Sequence, residues 1–372
     1  KILKLQILAG YQIQSLFGMI SFTTFFQILS NIHVKDQNLF LIICLFLASV
    51  FLISCGSFFL EDEGVEHKSI EELSAESSSY IVDGLNTHVT EITQTVGSDG
   101  ILAGSFAVPS NGISFLLSIF KDSNANVEFY SLTDPDGTDI LSPTSTPNLY
   151  NDASGSSGSD LSKAGYSNVL VPQSPSFSAK AGTWTFKSYD NDRVKLTLRT
   201  GSTPSAATIA VQPYITGTIW SASDLSSALS VMSSIYSSNG ITLTINSTIS
   251  ISDTQYAEVS GAFTNSITSA LISQGENGAV NLFFIEDYSG NWSGILGNAA
   301  GIPGSMGIAN SWNGVLSSLT AHASGTTLDP QLLGETAAHE MGHQLGLFHT
   351  TEQGGTEFDI ITDTAECAKS SR

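Results

Sequence analysis

Residues 339–349 read His-Glu-Met-Gly-His-Gln-Leu-Gly-Leu-Phe-His. Neutral imidazole is the commonest protein ligand for a transition metal. His339 and His343 stand four apart, so on a helix they share one face about one turn apart and point at one ion. Glu340 lies on the adjacent flank, where it reaches a water at the metal without being a ligand. Gly346 permits φ > 0, so the helix stops and the chain turns, returning His349 as a third ligand. Three neutral histidines leave a fourth position open, the layout of a catalytic zinc site and not of a closed structural one. The bare H-E-x-x-H arises by chance roughly once in a hundred chains of this length, and the added glycine and histidine lower that about a thousandfold. The plainer alternative is a helix whose histidines merely line a polar face.

A helix must carry this motif. Asp329-Pro330 is its start, with an N-cap acid and a proline at the first helical position. Leu332, Leu333, Ala337 and Leu345 supply the buried side, and Gly346 the stop. Upstream, Thr208–Thr216 reads as a strand. A helix opens at Ser221-Ala222-Ser223-Asp224 and runs to about Ser237, with Leu225, Leu229, Met232 and Tyr236 as its buried stripe. Ile241–Ile251 is a second strand and Thr264–Ile272 another helix. Val280–Ile285 is a continuous apolar run fit for an interior strand, 298–304 is a loop, and Gly314–Leu319 is an edge strand.

The pattern His339-Glu340-x-x-His343-x-x-Gly346-x-x-His349 resembles the zinc signature of the metzincin clan of metallopeptidases. Gly334-Glu335-Thr336-Ala337-Ala338 resembles the run leading into that helix in secreted bacterial members. The likeness is strong over residues 328–350; over 205–327 it extends only to the order of elements. It implies Zn2+ bound by His339, His343 and His349, with Glu340 as general base and acid acting on a protein or peptide substrate. It also implies an α+β catalytic domain over residues 205–372, a mixed sheet with a zinc-binding helix and a cleft between sheet edge and helix. Such domains carry a methionine turn after the third histidine. The methionines here are Met19, Met232, Met306 and Met341, none beyond His349. The expectation is that the chain is a fragment; its first residue, Lys1, and an apparently unpaired Cys367 fit that expectation.

Residues 80–200 show short β-type runs between turn signals, among them Ile101–Val108, Ile113–Phe120, Val127–Leu132, Thr183–Ser188 and Val194–Leu198. Alternation in Thr183-Trp184-Thr185-Phe186 predicts a half-buried antiparallel sheet, and the whole resembles an all-β sandwich module preceding the catalytic domain. Asp134-Pro135-Asp136-Gly137-Thr138 is a tight turn whose Asp134 and Asp136, with Asp139, form a candidate Ca2+ site, although acidic turns are usually only turns. Residues 151–160 read as a flexible loop, and Thr200–Ser205 as a linker.

The front of the chain gives an address. Residues 39–53, including Cys44, form an apolar run that is short for a membrane span and suits a signal-peptide core. It ends in Leu52-Ile53-Ser54-Cys55-Gly56, which resembles a bacterial lipobox. Lipid on Cys55 would anchor the mature protein at the cell surface, on an outer membrane if the cell has two. A plain transmembrane anchor is the alternative. Residues 1–33 contain no acidic residue and are favoured as sequence upstream of a start at Val34, with a second membrane helix over about residues 9–30 as the other reading. Residues 1–54 are thus a signal and upstream segment. Residues 55–79, charged and Ser-rich, form a disordered tether.

The net charge of −21, from 13 basic and 34 acidic residues, argues against nucleic acid and against a polybasic grip on lipid. With three cysteines, one of them in the signal and one lipidated, there is no disulfide framework. Abundant Ser, Thr, Gly and Asn fit an extracellular β-rich monomer. Two function classes remain: a cell-surface zinc endopeptidase, or a non-catalytic surface lipoprotein, an adhesin or scaffold that keeps the metal for folding. Glu340 favours the enzyme, since a binding-only site needs no base beside its first ligand. His322 reads as a solvated loop residue. Glu352, Asp359 and Asp363 are surface carboxylates by default, one of which would orient a ligand imidazole if the site is catalytic.

Overall fold

Between residues 182 and 189, Trp184 and Phe186 alternate with Thr183, Thr185 and Lys187, and this period of two makes a strand with one buried face. The same pattern recurs through a pair of antiparallel sheets in the computed structural model, which describes residues 79–82, 85–123, 125–141, 162–172, 177–203, 207–305, 310–350, 359 and 361. The first sheet comprises β1 (Ser79–Val82), β2 (Leu85–Glu91), β5 (Gly112–Phe120), β8 (Tyr166–Val171) and β10 (Arg193–Thr200), in the order β1-β2-β10-β5-β8. The second comprises β3 (Thr95–Val96), β4 (Leu102–Val108), β6 (Asn126–Thr133), β7 (Ser162–Ala164) and β9 (Gly182–Tyr189), in the order β3-β4-β9-β6-β7. Phe115, Leu117, Ile119 and Val169 from the first meet Phe106, Phe129, Trp184 and Phe186 from the second in one core.

The zinc-motif helix belongs to a different layer. A mixed sheet is built from β11 (Ala207–Thr216), β12 (Ile241–Ile245), β13 (Ile249–Ile251), β14 (Val280–Ile285), β15 (Gly297–Ala299) and β16 (Val315–Ser318). Its order is β12-β11-β14-β16-β15, with β13 continuing beside β11. All neighbours are parallel except β15, which runs antiparallel to β16. Helices α1 (Ser226–Ser238) and α3 (Pro330–Gln344) cover one face. Leu225, Leu229, Met232 and Tyr236, together with Leu333, Ala337 and Met341, pack there on Val211, Leu282, Phe284 and Val315. Helix α2 (Ser266–Ile272) lies on the other face, where Tyr214, Phe283, Ile285 and Leu316 point.

That second face is also where the first antiparallel sheet arrives. Along β5, Leu116, Ser118 and Phe120 are as buried as the residues between them, so the strand is covered on both sides. Phe120 and Tyr166 join the core of the mixed sheet, and the Tyr166 ring stacks on Trp312 at 5.2 Å. Asn168 donates from Nδ2 to the Pro303 carbonyl at 2.5 Å.

Several expectations change. The single strand over 241–251 is two, because β12 pairs with the first half of β11 and β13 with the last. The break lies opposite Gln212-Pro213. Proline has no N–H for the ladder, and the Gln212 amide spans the gap by donating to the Ser247 carbonyl. The strand at Gly314–Leu319 is interior, with all four residues of β16 buried. The edge is β15, which overlaps the start of the segment that reads as loop, since Gly-Asn-Ala carries no apolar period. Leu332 is 38% exposed and not part of the buried side of α3. Ser79, taken as the end of the tether, already belongs to β1. Residues 1–78 otherwise, with Cys44 and Cys55, the loop 151–160 and Cys367 lie outside the described residues. Among the described residues no helix is long and apolar enough to cross a membrane.

Helices α1 and α3 approach closely at Gly334. A Cβ there would fall 2.5 Å from the Ala228 carbonyl oxygen and 2.7 Å from Val231 Cβ. Glycine to alanine inside a helix ordinarily stabilises by about 0.5–1 kcal/mol. At this position overpacking, about 1–3 kcal/mol, outweighs that gain. Gly334→Ala is expected to lower the thermal midpoint by a few degrees; a raised midpoint would contradict the close approach.

Candidate metal centre

The motif helix is capped at both ends by its own sequence. The Asp329 carboxylate accepts from the backbone N–H groups of Gln331 and Leu332, at 3.0 and 3.1 Å. Pro330 takes the first helical position, where no N–H is needed. At the other end Gly346 has φ 107°, a left-handed value that glycine adopts freely. Its N–H donates to the His343 carbonyl, and the Leu347 N–H to the Gly342 carbonyl, both at 2.9 Å. This pair of bonds is a Schellman turn.

The turn also orients a ligand. His343 Nδ1 lies 2.6 Å from the Leu347 carbonyl oxygen. A carbonyl only accepts, so Nδ1 carries the proton and Nε2 presents a lone pair. The neighbour that fixes this imidazole is therefore a backbone carbonyl of the turn. Of the carboxylates considered for that task, Glu352 and Asp363 lie outside the described residues, and Asp359 is half-buried.

The three histidines converge as their spacing predicts. His339 Nε2 lies 3.0 Å from His343 Nε2 and 3.2 Å from His349 Nε2, and the last two are 3.1 Å apart. Among the described residues this is the group of His, Cys, Asp and Glu whose ligand atoms gather closely enough for one ion. A tetrahedral ion with nitrogen ligands at zinc distances needs N···N separations of roughly 3.3–3.4 Å. The triangle is thus within a few tenths of an ångström of that size. The His343 lone pair is turned toward the triangle, and a cation there would be within reach of all three nitrogens. His343 is buried, whereas His339 and His349 face solvent, so one side of the centre is open. Partial burial of the ring, followed by the charge of His349, lowers the His339 pKa below its ordinary 6.5 and favours the neutral, ligating form.

Glu340, next to His339 on the helix, is seated against β15. A carboxylate oxygen accepts from the Ala299 N–H, and the side chain lies across Gly297. Burial pushes its pKa up to about 7, with the Ala299 amide acting in the opposite sense. Strand β15 is hydrogen-bonded to β16 through Leu296 and Ala300, whose partners are Ser318 and Gly314. In an antiparallel ladder bonding alternates, so the backbone groups of Gly297 and Ala299 face outward along an edge that pairs with no other strand among the described residues.

His322 is not solvated. It is 1% exposed, with Nδ1 2.5 Å from the Ser318 carbonyl and Nε2 2.8 Å from Thr336 Oγ1. It therefore links β16 to α3 one turn before Glu340. Nothing in the sequence around His322 signals this, because the contact joins residues from separate elements. Gly297, Ala299 and Thr336 were missed for the same reason.

The calcium reading of the acidic turn finds no support. Lys180 Nζ contacts Asp134 Oδ2 at 2.5 Å and Asp136 Oδ2 at 2.8 Å. The second Asp134 oxygen accepts from the Asp136 and Thr138 amides, and Asp139 Oδ1 from those of Leu132 and Leu141. Burial alone would raise the Asp134 pKa, but Lys180 and the two amides outweigh it and hold the carboxyl ionised. A lysine already supplies the positive charge a calcium ion would bring.

Residues 222–350 match the family of reprolysin-like metallo-peptidases, family M12B. The chain is 29% identical to an extracellular metalloprotease of Podospora anserina over 168 residues, which is 45% of this chain and 54% of that protein. It is 36% identical over 92 residues to extracellular metalloproteases of Colletotrichum graminicola and Coccidioides posadasii, covering 24% of this chain and 32% of each. The chain thus spans about half the length of the first relative and about a third of the other two. These relatives are fungal, not bacterial. Among solved structures, metalloproteinase-II from Bacteroides fragilis aligns over 72% of this chain and 79% of that one. Its identity is 14% and its TM-score 0.26, too slight a likeness to compare elements. The part of the chain that carries the histidine triangle is metallopeptidase-like in sequence.

Burial lowers the His322 pKa below 6.5, against smaller raising effects of the Ser318 carbonyl and Asp329. The unfolded chain then binds this proton first as pH falls. The stability from neutral His322 is present above about pH 6.5 and is lost as pH falls below it toward the lowered folded value. Thermal midpoints measured from pH 7.5 to 5 are expected to drop, and less steeply for His322→Gln. Equal slopes would place His322 in water.

Proposed function

We propose that this chain is a zinc-dependent endopeptidase that cleaves proteins outside the cell. The observation that carries the reading is the open triangle of His339, His343 and His349 nitrogens with Glu340 held beside it on a free sheet edge. The extracellular metalloproteases of the three fungi support the class and the location. A lipid anchor at Cys55 is part of the same proposal and rests on the lipobox-like sequence. With a net charge of −21, nucleic acid is not among the proposed partners.

Each residue has a task. The three histidines hold zinc through Nε2, with the Leu347 carbonyl fixing the His343 tautomer. Zinc, when bound, supplies Lewis acidity toward water and toward a peptide carbonyl. Glu340 takes a proton from the attacking water and later delivers it to the leaving amine. A carboxyl near 7 is suited to both transfers, and a bound cation draws it lower. The outward Gly297 backbone groups and the Ala299 carbonyl of β15 accept an extended peptide as an added antiparallel strand beside Glu340, the Ala299 N–H being taken by the Glu340 carboxylate. A scaffold that kept metal only for folding would have no use for a carboxylate seated on that edge.

One zinc per chain is expected by metal analysis, and His343→Ala should lose it. Imidazole ligates only when neutral, so affinity falls with acid. The lowered His339 pKa favours its ligating form, and zinc content measured from pH 7.5 downward should fall with acid. Stoichiometric zinc in His343→Ala would refute the ligand set.

Glu340→Ala should keep its zinc and its fold while casein cleavage drops about 10²–10⁴-fold. Undiminished cleavage by that variant, with contaminating proteases inhibited, would remove the mechanism and leave a binding protein.

Fatty-acid labelling in a bacterial host is expected to mark the wild type and not Cys55→Ala. An unlabelled wild type would eliminate the anchor.

A further inference from the structure

Glu340 lies where a side chain on Gly297 would have to be. A Cβ built there would fall 2.5 Å from Glu340 Cγ, 3.1 Å from Glu340 Cδ and 2.8 Å from Thr336 Cγ2. The two shortest are closer than side chains tolerate, so any other residue must push the glutamate or the threonine aside. Glycine is not required here for its backbone freedom. Gly297 lies in a strand and is absent from the positive-φ positions, so its conformation is open to most residues. What the position needs is the empty volume.

Both neighbours of that space are tied to other groups. The Glu340 carboxylate is bonded to the Ala299 amide, two residues along the same free edge. Thr336, one helical turn before Glu340, has its methyl against Gly297 and its hydroxyl on His322 Nε2 at 2.8 Å. His322 is in turn held by the Ser318 carbonyl of β16. The helix is thus fixed about its axis by a hydrogen bond on one side and by contact with a bare backbone on the other.

We propose that Gly297 is a positioning residue for Glu340. Its missing side chain sets how close α3 comes to β15, and so where the carboxylate stands beside the Ala299 amide and the histidine triangle. Thr336, held by His322, closes the other side. This rests on the reading of Glu340 as the proton-transfer group, but the contact itself is testable without activity.

Four full-length proteins decide it: wild type, Gly297→Ala, Glu340→Ala and the double variant, each loaded with zinc. Gly297→Ala should lower the thermal midpoint by several degrees when Glu340 is present. In the Glu340→Ala background, where Cγ and Cδ are gone, the loss should be less than half as large. Equal losses in both backgrounds would overturn the proposal. If Gly297→Ala does not fold, folding of the double variant supports the proposal and failure of both overturns it. In peptidase assays, Gly297→Ala should retain one zinc and lose about 10²-fold in kcat, with KM changed by no more than about threefold. Wild-type kcat in that variant would equally overturn it. Full activity of Glu340→Ala would sink the peptidase reading and leave the thermal comparison standing.

Discussion

The bond from His343 Nδ1 to the Leu347 carbonyl is the constraint on which the centre depends. It decides which nitrogen of His343 offers a lone pair. It exists because the helix ends in a Schellman turn that brings residue 347 back over its last turn. The same turn starts the chain toward His349. Helix termination, tautomer choice and return of the third ligand are therefore one local event. Its origin is the left-handed conformation at Gly346. A residue with a Cβ at that position would meet both backbone strain and Leu170 Cδ2 at 3.2 Å.

That contact with Leu170 shows how far the support extends. Leu170 lies in β8, next to Val169 and Val171 of the paired antiparallel sheets. Pro303 also lies against the Gly346 turn, and its carbonyl accepts from Asn168. Gly304 donates its N–H to the Gln344 carbonyl at the end of the motif helix. The back of the turn is thus lined by the residue 303–304 segment and by a strand more than a hundred residues upstream. The exposed sides of His339 and His349 remain on the solvent front.

On the opposite flank the helix meets the edge of the mixed sheet. Small residues govern this contact. Gly297 leaves room for Glu340, and Gly334 brings α1 against α3. The buried His322 bridges Ser318 and Thr336. Close backbone approach and satisfied buried polar groups hold α3 in place together with its apolar core. The acidic turn at Asp134 shows the same economy, with Lys180 and backbone amides meeting the carboxylates in place of an ion.

By itself the sequence determined which histidines converge and the helix that carries two of them. Spacings of four and six among the histidines, Asp329-Pro330 at one end and Gly346 at the other are local, and local geometry converts them directly into position. The apolar stripe of α1, the interior strand Val280–Ile285 and the alternating strands around Trp184 were legible for the same reason, since burial imposes its period on neighbouring residues. Only the tertiary structure decided what stands beside the centre. It placed Gly-Asn-Ala at the sheet edge, moved Gly314–Leu319 to the interior, buried His322 and split the strand opposite Pro213. It also set Leu170 behind the Gly346 turn. These pairings join residues far apart in the chain through small or polar side chains. Such residues leave no period in the sequence, because their fit depends on the space between elements and not on the elements themselves.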